Sequence, residues 1–150
     1  MAFITLEDLH ATSGPLLGVD PGTKTLGLAI SDRTRLIGTA LETIRREKFT
    51  QDAQALLKIY RDNDAVALVM GLPINMDGSH GPRTQSVRDF CQNLMQIEDI
   101  PIFLWDERLS TMAVTRTMLA DDMSRKKRKD NVDKLAASYI LQGVLDRLRS

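Results

Sequence analysis

Residues 65–70, Ala-Val-Ala-Leu-Val-Met, form an apolar run of strand length with no polar alternation. A strand of this kind cannot leave one face in water, so it belongs at the centre of a sheet covered on both sides. The flanking sequence supplies the cover. Phe49, Ala53, Leu56, Leu57 and Tyr60 recur with helical spacing before the run. Val87, Phe90, Cys91, Leu94 and Ile97 do the same after it. Each set is one face of an amphipathic helix.

The remaining elements extend this core. Residues 16–19 are apolar and end at Asp20, and Pro21-Gly22 signals a turn. Residues 26–30 resume the apolar pattern, so the two runs read as a hairpin. Residues 35–44 are expected as a third strand and 102–105 as a fifth. Ser110 is placed to cap a helix over 111–119. A last helix is expected over 133–148, apolar through Leu135, Ala136, Tyr139, Ile140, Val144 and Leu148. The expected class is therefore α/β, a mixed sheet of about five strands with helices on both faces.

The 150 residues suit one domain, assigned to residues 16–150. Residues 1–15 read as a mobile N-terminal extension with a helical turn around 6–9. Glu7 and Asp8 stand where a signal peptide carries positive charge. No apolar run reaches the roughly 20 residues of a membrane helix. The single cysteine, Cys91, reads as a buried small hydrophobe in a reducing compartment. A cytoplasmic protein with no membrane contact is the expectation.

Lys plus Arg number 20, as do Asp plus Glu. Zero net charge excludes an argument for nucleic-acid binding from bulk charge, but not one from a local patch. Three acids fall at telling places. Asp20 closes the first strand, Glu107 follows the last, and Asp133 opens the last helix. In open α/β sheets the functional crevice lies at the carboxyl ends of the strands. Carboxylates converging there repel one another, and a hard divalent cation relieves this. Oxygen donors alone favour Mg²⁺ or Mn²⁺. Taken singly, each acid has a plainer reading. Asp20 suits a turn before Pro-Gly, Asp133 complements a helix dipole, and Glu107 suits an ion pair beside Asp106 and Arg108.

Five consecutive cations, Arg125, Lys126, Lys127, Arg128 and Lys129, precede Asp133. Such a run is either a solvated loop or a contact to phosphates. Lys24 in the first turn, Arg83 and Arg88 near the second helix start, and Lys134 are further candidates for nucleic-acid contact. Trp105 reads as core, and His80 as an exposed loop histidine. No cofactor-binding motif is present: residues 20–27 are neither a P-loop nor a dinucleotide fingerprint.

Four blocks now carry a resemblance. They are Leu17-Gly-Val-Asp-Pro-Gly-Thr-Lys-Thr-Leu-Gly-Leu-Ala-Ile-Ser-Asp32, Gly71-Leu-Pro-Ile-Asn-Met-Asp-Gly-Ser-His-Gly-Pro-Arg83, Asp106-Glu-Arg-Leu-Ser-Thr111, and Ser124-Arg-Lys-Lys-Arg-Lys129 with Val132-Asp-Lys-Leu-Ala-Ala137. In this order they resemble the YqgF family of pre-16S rRNA nucleases, also described as Holliday-junction-resolvase-like. The resemblance spans about residues 16–148. It implies a ribonuclease-H-like fold and a metal-dependent hydrolase acting in 5′-end maturation of pre-16S rRNA. It also implies Asp20, Glu107 and Asp133 as catalytic and metal-binding carboxylates, and leaves the role of Asp106 open.

Two other readings stay open: a DNA-junction resolvase, which would work as a homodimer, and a non-catalytic RNA-binding factor in ribosome assembly or transcription. Whether the chain is a monomer or a homodimer is not fixed by these features.

Overall fold

A computed structural model describes residues 3–109 and 125–150, with side chains for 3–109 and 134–150. The described elements are α1 (Leu6–His10), β1 (Leu16–Pro21), β2 (Thr25–Ser31), β3 (Gly38–Arg45), α2 (Phe49–Asp62), β4 (Ala67–Leu72), α3 (Pro82–Ile97), β5 (Ile102–Asp106), a 3₁₀ turn (Glu107–Leu109) and α4 (Arg125–Arg149). The strands lie in the order β3-β2-β1-β4-β5. β1, β2 and β3 pair antiparallel, while β1, β4 and β5 run parallel. The expected five-stranded mixed α/β sheet is what forms. β4 is its inner parallel strand and is buried at every position.

Alternation sorts the side chains between two cores. Leu17, Val19, Leu68 and Met70 face α2 and α3. Leu16, Ala29, Ala67 and Val69 face α4, where Ala137, Ile140 and Leu141 meet them. Glycine makes that second contact close. A Cβ built on Gly18 would lie 2.9 Å from the Leu141 Cβ and 3.3 Å from the Ala137 carbonyl oxygen. Trp105 is buried in the same core, with its ring against Gly143. It is core, as the sequence suggests.

Four boundaries differ from expectation. The third strand starts at Gly38, not Arg35. The Asp32 carboxylate accepts the backbone N–H groups of Leu36 (2.8 Å) and Ile37 (3.0 Å), closing a turn there. Arg35 sits inside that turn at φ 59°, which no strand allows. β4 begins and ends two residues later than the apolar run, from Ala67 to Leu72. α3 begins at Pro82, ahead of its first apolar position, because proline suits the first helical turn. The last helix starts at Arg125, so the basic run is helical and not a loop. Lys and Arg are good helix formers, and an unbroken run of them needs no apolar periodicity. The expected helix over residues 111–119 and its cap Ser110 lie outside the described residues.

The N-terminal extension is seated on the domain. Thr5 and Asp8 close a capping box on α1. Leu9 is fully buried among the α4 side chains. The Ile4 N–H donates to the Ile102 carbonyl (2.9 Å), covering part of the β5 edge. Arg35 then fixes the chain after α1, donating to the carbonyls of Leu9 (2.9 Å) and Gly14 (2.7 Å) and to the Thr12 hydroxyl (2.8 Å).

Candidate active site

Asp20 is two residues beyond Gly18 on β1, so its side chain leaves the sheet on the α4 face. It is 4% exposed. Gly71 follows Ala67 and Val69 onto the same face of β4. The β1–β4 pairing runs as far as Val19 opposite Met70, and one further step sets Asp20 beside Gly71 at the strand spacing of roughly 4.8 Å. Glu107 reaches this point from the end of β5. A Cβ on Gly71 would lie 2.7 Å from the Glu107 Oε1. Glu107 therefore covers Gly71, and Asp20 leaves the same face from the neighbouring strand, at the carboxyl end of the parallel half-sheet.

α4 brings the third acid to the same end. Its Leu141 packs near Gly38, while its Lys134 lies with Thr25 at the far end of β2. The helix thus runs opposite to β1, and its turn around Lys134, nine residues after the helix start, lies toward the end of β1 that carries Asp20. Asp133 lies one turn before Ala137 on this helix. Its side chain, like those of Arg125, Lys126, Lys127, Arg128 and Lys129, lies outside the described residues.

The turn after Asp20 is rigid. Gly22 donates to the Thr25 carbonyl at 2.9 Å, and a Cβ at Gly22 would come within 2.6 Å of that oxygen. Only glycine fits so tight a return. Arg46 donates to the Gly22 carbonyl (2.7 Å) and Arg83 to the Pro21 carbonyl (2.6 Å). Arg83, expected at phosphates, thus supports the turn. Arg46 went unnoticed in the sequence because its partner is a carbonyl 24 residues away, which no motif signals.

The other cations spread out. Lys24 is exposed on the turn. Lys134 lines a cavity with Thr25, Glu42, Thr43 and Arg45. Arg88 faces the ring of Phe3, 5.9 Å from its centroid. Arg88 therefore does not gather with the carboxylates.

Asp106 and Arg108 form a two-pronged ion pair, with contacts of 3.0 Å from Nε and 2.7 Å from Nη2 to Oδ2. The hydrogen-bonded guanidinium holds the Asp106 carboxyl below its ordinary range, and the nearby His80 adds to this. Beside Glu107, this ion pair joins Asp106 to Arg108. Arg108 also lies beneath the exposed turn of residues 75–79, 3.4 Å from a Cβ placed on Gly78. His80 is exposed, as expected.

The family model described as "RuvX: Holliday junction resolvase" matches residues 14–147. A protein of Paracoccus denitrificans named "Putative pre-16S rRNA nuclease" is 57% identical over 145 residues, covering 97% of this chain and 92% of that one. A Paramagnetospirillum magneticum protein of the same name is 60% identical over 131 residues, covering 87% of this chain and 84% of that one. Among solved structures, Thermus thermophilus RuvC bound to a Holliday junction substrate is similar in fold. Its TM-score is 0.58 at 13% identity, covering 91% of this chain and 97% of that one.

Proposed function

Because this chain belongs to the RuvX family, the YqgF family of the sequence resemblance, we propose that it is a nuclease that hydrolyses phosphodiester bonds of pre-16S rRNA in the presence of Mg²⁺ or Mn²⁺. The observation that carries the proposal is that Glu107 covers Gly71 on the face that Asp20 also leaves. Two acidic side chains share a face where a glycine leaves room, and a third acid, Asp133, stands in the ninth position of the helix that packs on that face.

The donor set suits a hard cation. It is carboxylate oxygen throughout, and the space above Gly71 is one that a Cβ would fill. Asp20, Glu107 and Asp133 would hold the metal. When bound, such an ion supplies an activated water and charge neutralisation at the phosphate. The chain's own part is positioning. The pairing of β1 with β4 sets the Asp20 backbone, and the glycine at 71 admits the Glu107 carboxylate. Arg46 and Arg83 fix the turn beyond Asp20, along which the substrate backbone would pass.

The helix start contributes charge. The N-terminal end of a helix carries a partial positive charge, and acids usually occupy it. Here the first turn of α4 belongs to the basic run that begins at Arg125, and no acid stands in it. That concentration of positive charge suits a polyphosphate chain drawn toward the acids. Lys24 and Lys134 extend it on either side.

The test is cleavage of a precursor 16S rRNA with Mg²⁺ or Mn²⁺ by the wild type, Asp20→Asn and Glu107→Gln. Each variant is expected to lose more than about a hundredfold in rate while still binding the RNA. Equal rates for wild type and Asp20→Asn would remove Asp20 from the site. Cutting of four-way DNA in preference to the rRNA would favour the resolvase reading, which the family model's description supports.

A further inference from the structure

The turn that joins β2 to β3 holds a cation under strain. Arg35 sits at φ 59°, in the left-handed region that side chains other than glycine seldom adopt. Strain of this kind persists only where the surroundings enforce it, and it gathers at sites with a task. The side chain is half-buried and donates to the carbonyls of Leu9 and Gly14 and to the Thr12 hydroxyl. All three partners are neutral. Among the described residues no carboxylate pairs with Arg35. A staple to neutral acceptors needs donors, not a charge, and a charge drawn from water without a partner costs free energy. Burial accordingly lowers the Arg35 pKa. Three of the five guanidinium N–H groups are used, so two remain.

Arg35 lines a cavity of about 260 Å³ with Arg33, Arg149, His10, Thr12 and Ser13, and no acidic residue lines it. Arg33 pairs with Asp64 at 3.6 Å and Arg149 with Asp146 at 2.6 Å, but both acids stand outside the lining. Asp32 is spent on the backbone of its own turn. Arg149 has a plainer role, because a cation complements the C-terminal end of a helix and α4 ends here. That role accounts for neither Arg33 nor Arg35, which come from the β2–β3 turn.

The cavity is remote from the candidate active site. It lies toward the start of β1 and the end of α4, whereas Asp20 stands near the other end of β1. From Leu16 to Asp20 the strand alone rises roughly 13 Å.

Guanidinium forks match the oxygens of a phosphate. Three of them around a cavity with no lining acid suit a dianion better than the single charge of a phosphodiester. The volume is below the roughly 300–1,000 Å³ of pockets that enclose a whole drug-sized ligand. It suits a phosphate group, with any attached molecule left outside.

We propose that this cavity is a second anion site, which binds a terminal phosphate dianion, free or at the end of a small molecule, with Arg35 at its base and Arg33 and Arg149 at its rim. The bound anion braces the N-terminal segment that Arg35 holds. The site goes beyond the nuclease reading and does not depend on it.

Amide NMR of the metal-free protein tests it, with titrations of inorganic phosphate, adenosine 5′-monophosphate and dimethyl phosphate. The first two should saturate, with shifts centred on residues 10–13, 33–35 and 149. Dimethyl phosphate, a monoanionic diester, should bind on the order of tenfold more weakly. Arg33→Gln and Arg149→Gln should each weaken inorganic phosphate about tenfold, as expected for losing a hydrogen bond to a charged group. Arg45→Gln, on the cavity nearer Asp20, should leave it unchanged. These three side chains are exposed, so folding should survive, and an unchanged thermal midpoint checks this. Tighter binding of the nucleotide than of inorganic phosphate supports the site with a phosphorylated small molecule as occupant; equal binding supports it with free phosphate. Shifts that do not saturate or that spread over other cations, equal binding of dimethyl phosphate, or an affinity unchanged in either Arg33→Gln or Arg149→Gln overturns it.

Discussion

Glu107 occupies the space that a side chain at residue 71 would need: a Cβ on Gly71 would lie 2.7 Å from its Oε1 and 2.7 Å from the Ile140 Cδ1. Both neighbours are the far ends of side chains that can turn aside. Gly71→Ala should therefore fold, with a thermal midpoint lowered by no more than about 3 °C. Its cleavage rate should drop at least about tenfold, because the carboxylate moves off the shared face. An activity loss no larger than the stability loss accounts for would count against this placement of Glu107.

Gly18→Ala offers the contrast. There the new methyl meets the Leu141 Cβ at 2.9 Å and the Ala137 carbonyl at 3.3 Å, neither of which can rotate away. α4 must shift as a body. Overpacking of this kind costs about 1–3 kcal/mol, so calorimetry should show a midpoint lower by roughly 5 °C. An unchanged midpoint would mean that α4 does not seat so closely.

Arg35→Ala should free the N-terminal segment. Three hydrogen bonds from one guanidinium to Leu9, Thr12 and Gly14 vanish together. About 2 kcal/mol of stability is at stake. Amide exchange at residues 9–12 should accelerate far more than in β4. Uniform acceleration across the chain would instead mean that α1 unfolds only with the whole domain.

Asp32 makes the fold acid-sensitive. The Ile37 N–H, the Thr34 hydroxyl and the Leu36 N–H bind its carboxylate, which lowers its pKa from the usual 3.8 to about 2. A lowered folded-state value adds stability above the ordinary range, and that stability is lost as pH falls through the lowered value. The advantage of wild type over Asp32→Asn in denaturant midpoint should be full above about pH 5 and fade between about pH 4 and 2. A constant difference over that window would contradict the assignment.

Cys91 should be inert in the native state. It is fully buried, and burial pushes its thiol up to about 12. Thiol reagents at neutral pH should modify it only at the rate of unfolding. Fast labelling of the folded protein would show that α3 opens locally.

Some parts of this molecule are easy to read from its sequence and others are hidden. The 65–70 run declares an inner strand because unbroken apolarity leaves neither face fit for water. Asp20 and Glu107 are legible because each follows an apolar run, and strand ends are where sheets expose chemistry. The start of α4 is not, since Arg125–Lys129 carry helix propensity without a buried face to mark a period. The seating of α1 is hidden in a different way: its anchor, Arg35, lies 26 residues from the Leu9 carbonyl it holds. The bulge at Leu41 escapes notice because it is a property of two strands in register, and residues 38–45 alone read as an ordinary edge strand.

The close seat of α4 on Gly18 also bears on how the chain is made. Translation delivers Asp20 with β1, and β2 and β3 soon after, while Ala137 and Leu141 follow more than 100 residues later. The face that carries Asp20 stays uncovered until the final helix docks, and the third acid arrives with that same helix. A nascent chain stalled before α4 would hold all five strands but lack the helix that covers the Asp20 face. A chain interrupted before α4 would lack Ala137 and Leu141, the residues that close over Gly18 on the Asp20 face.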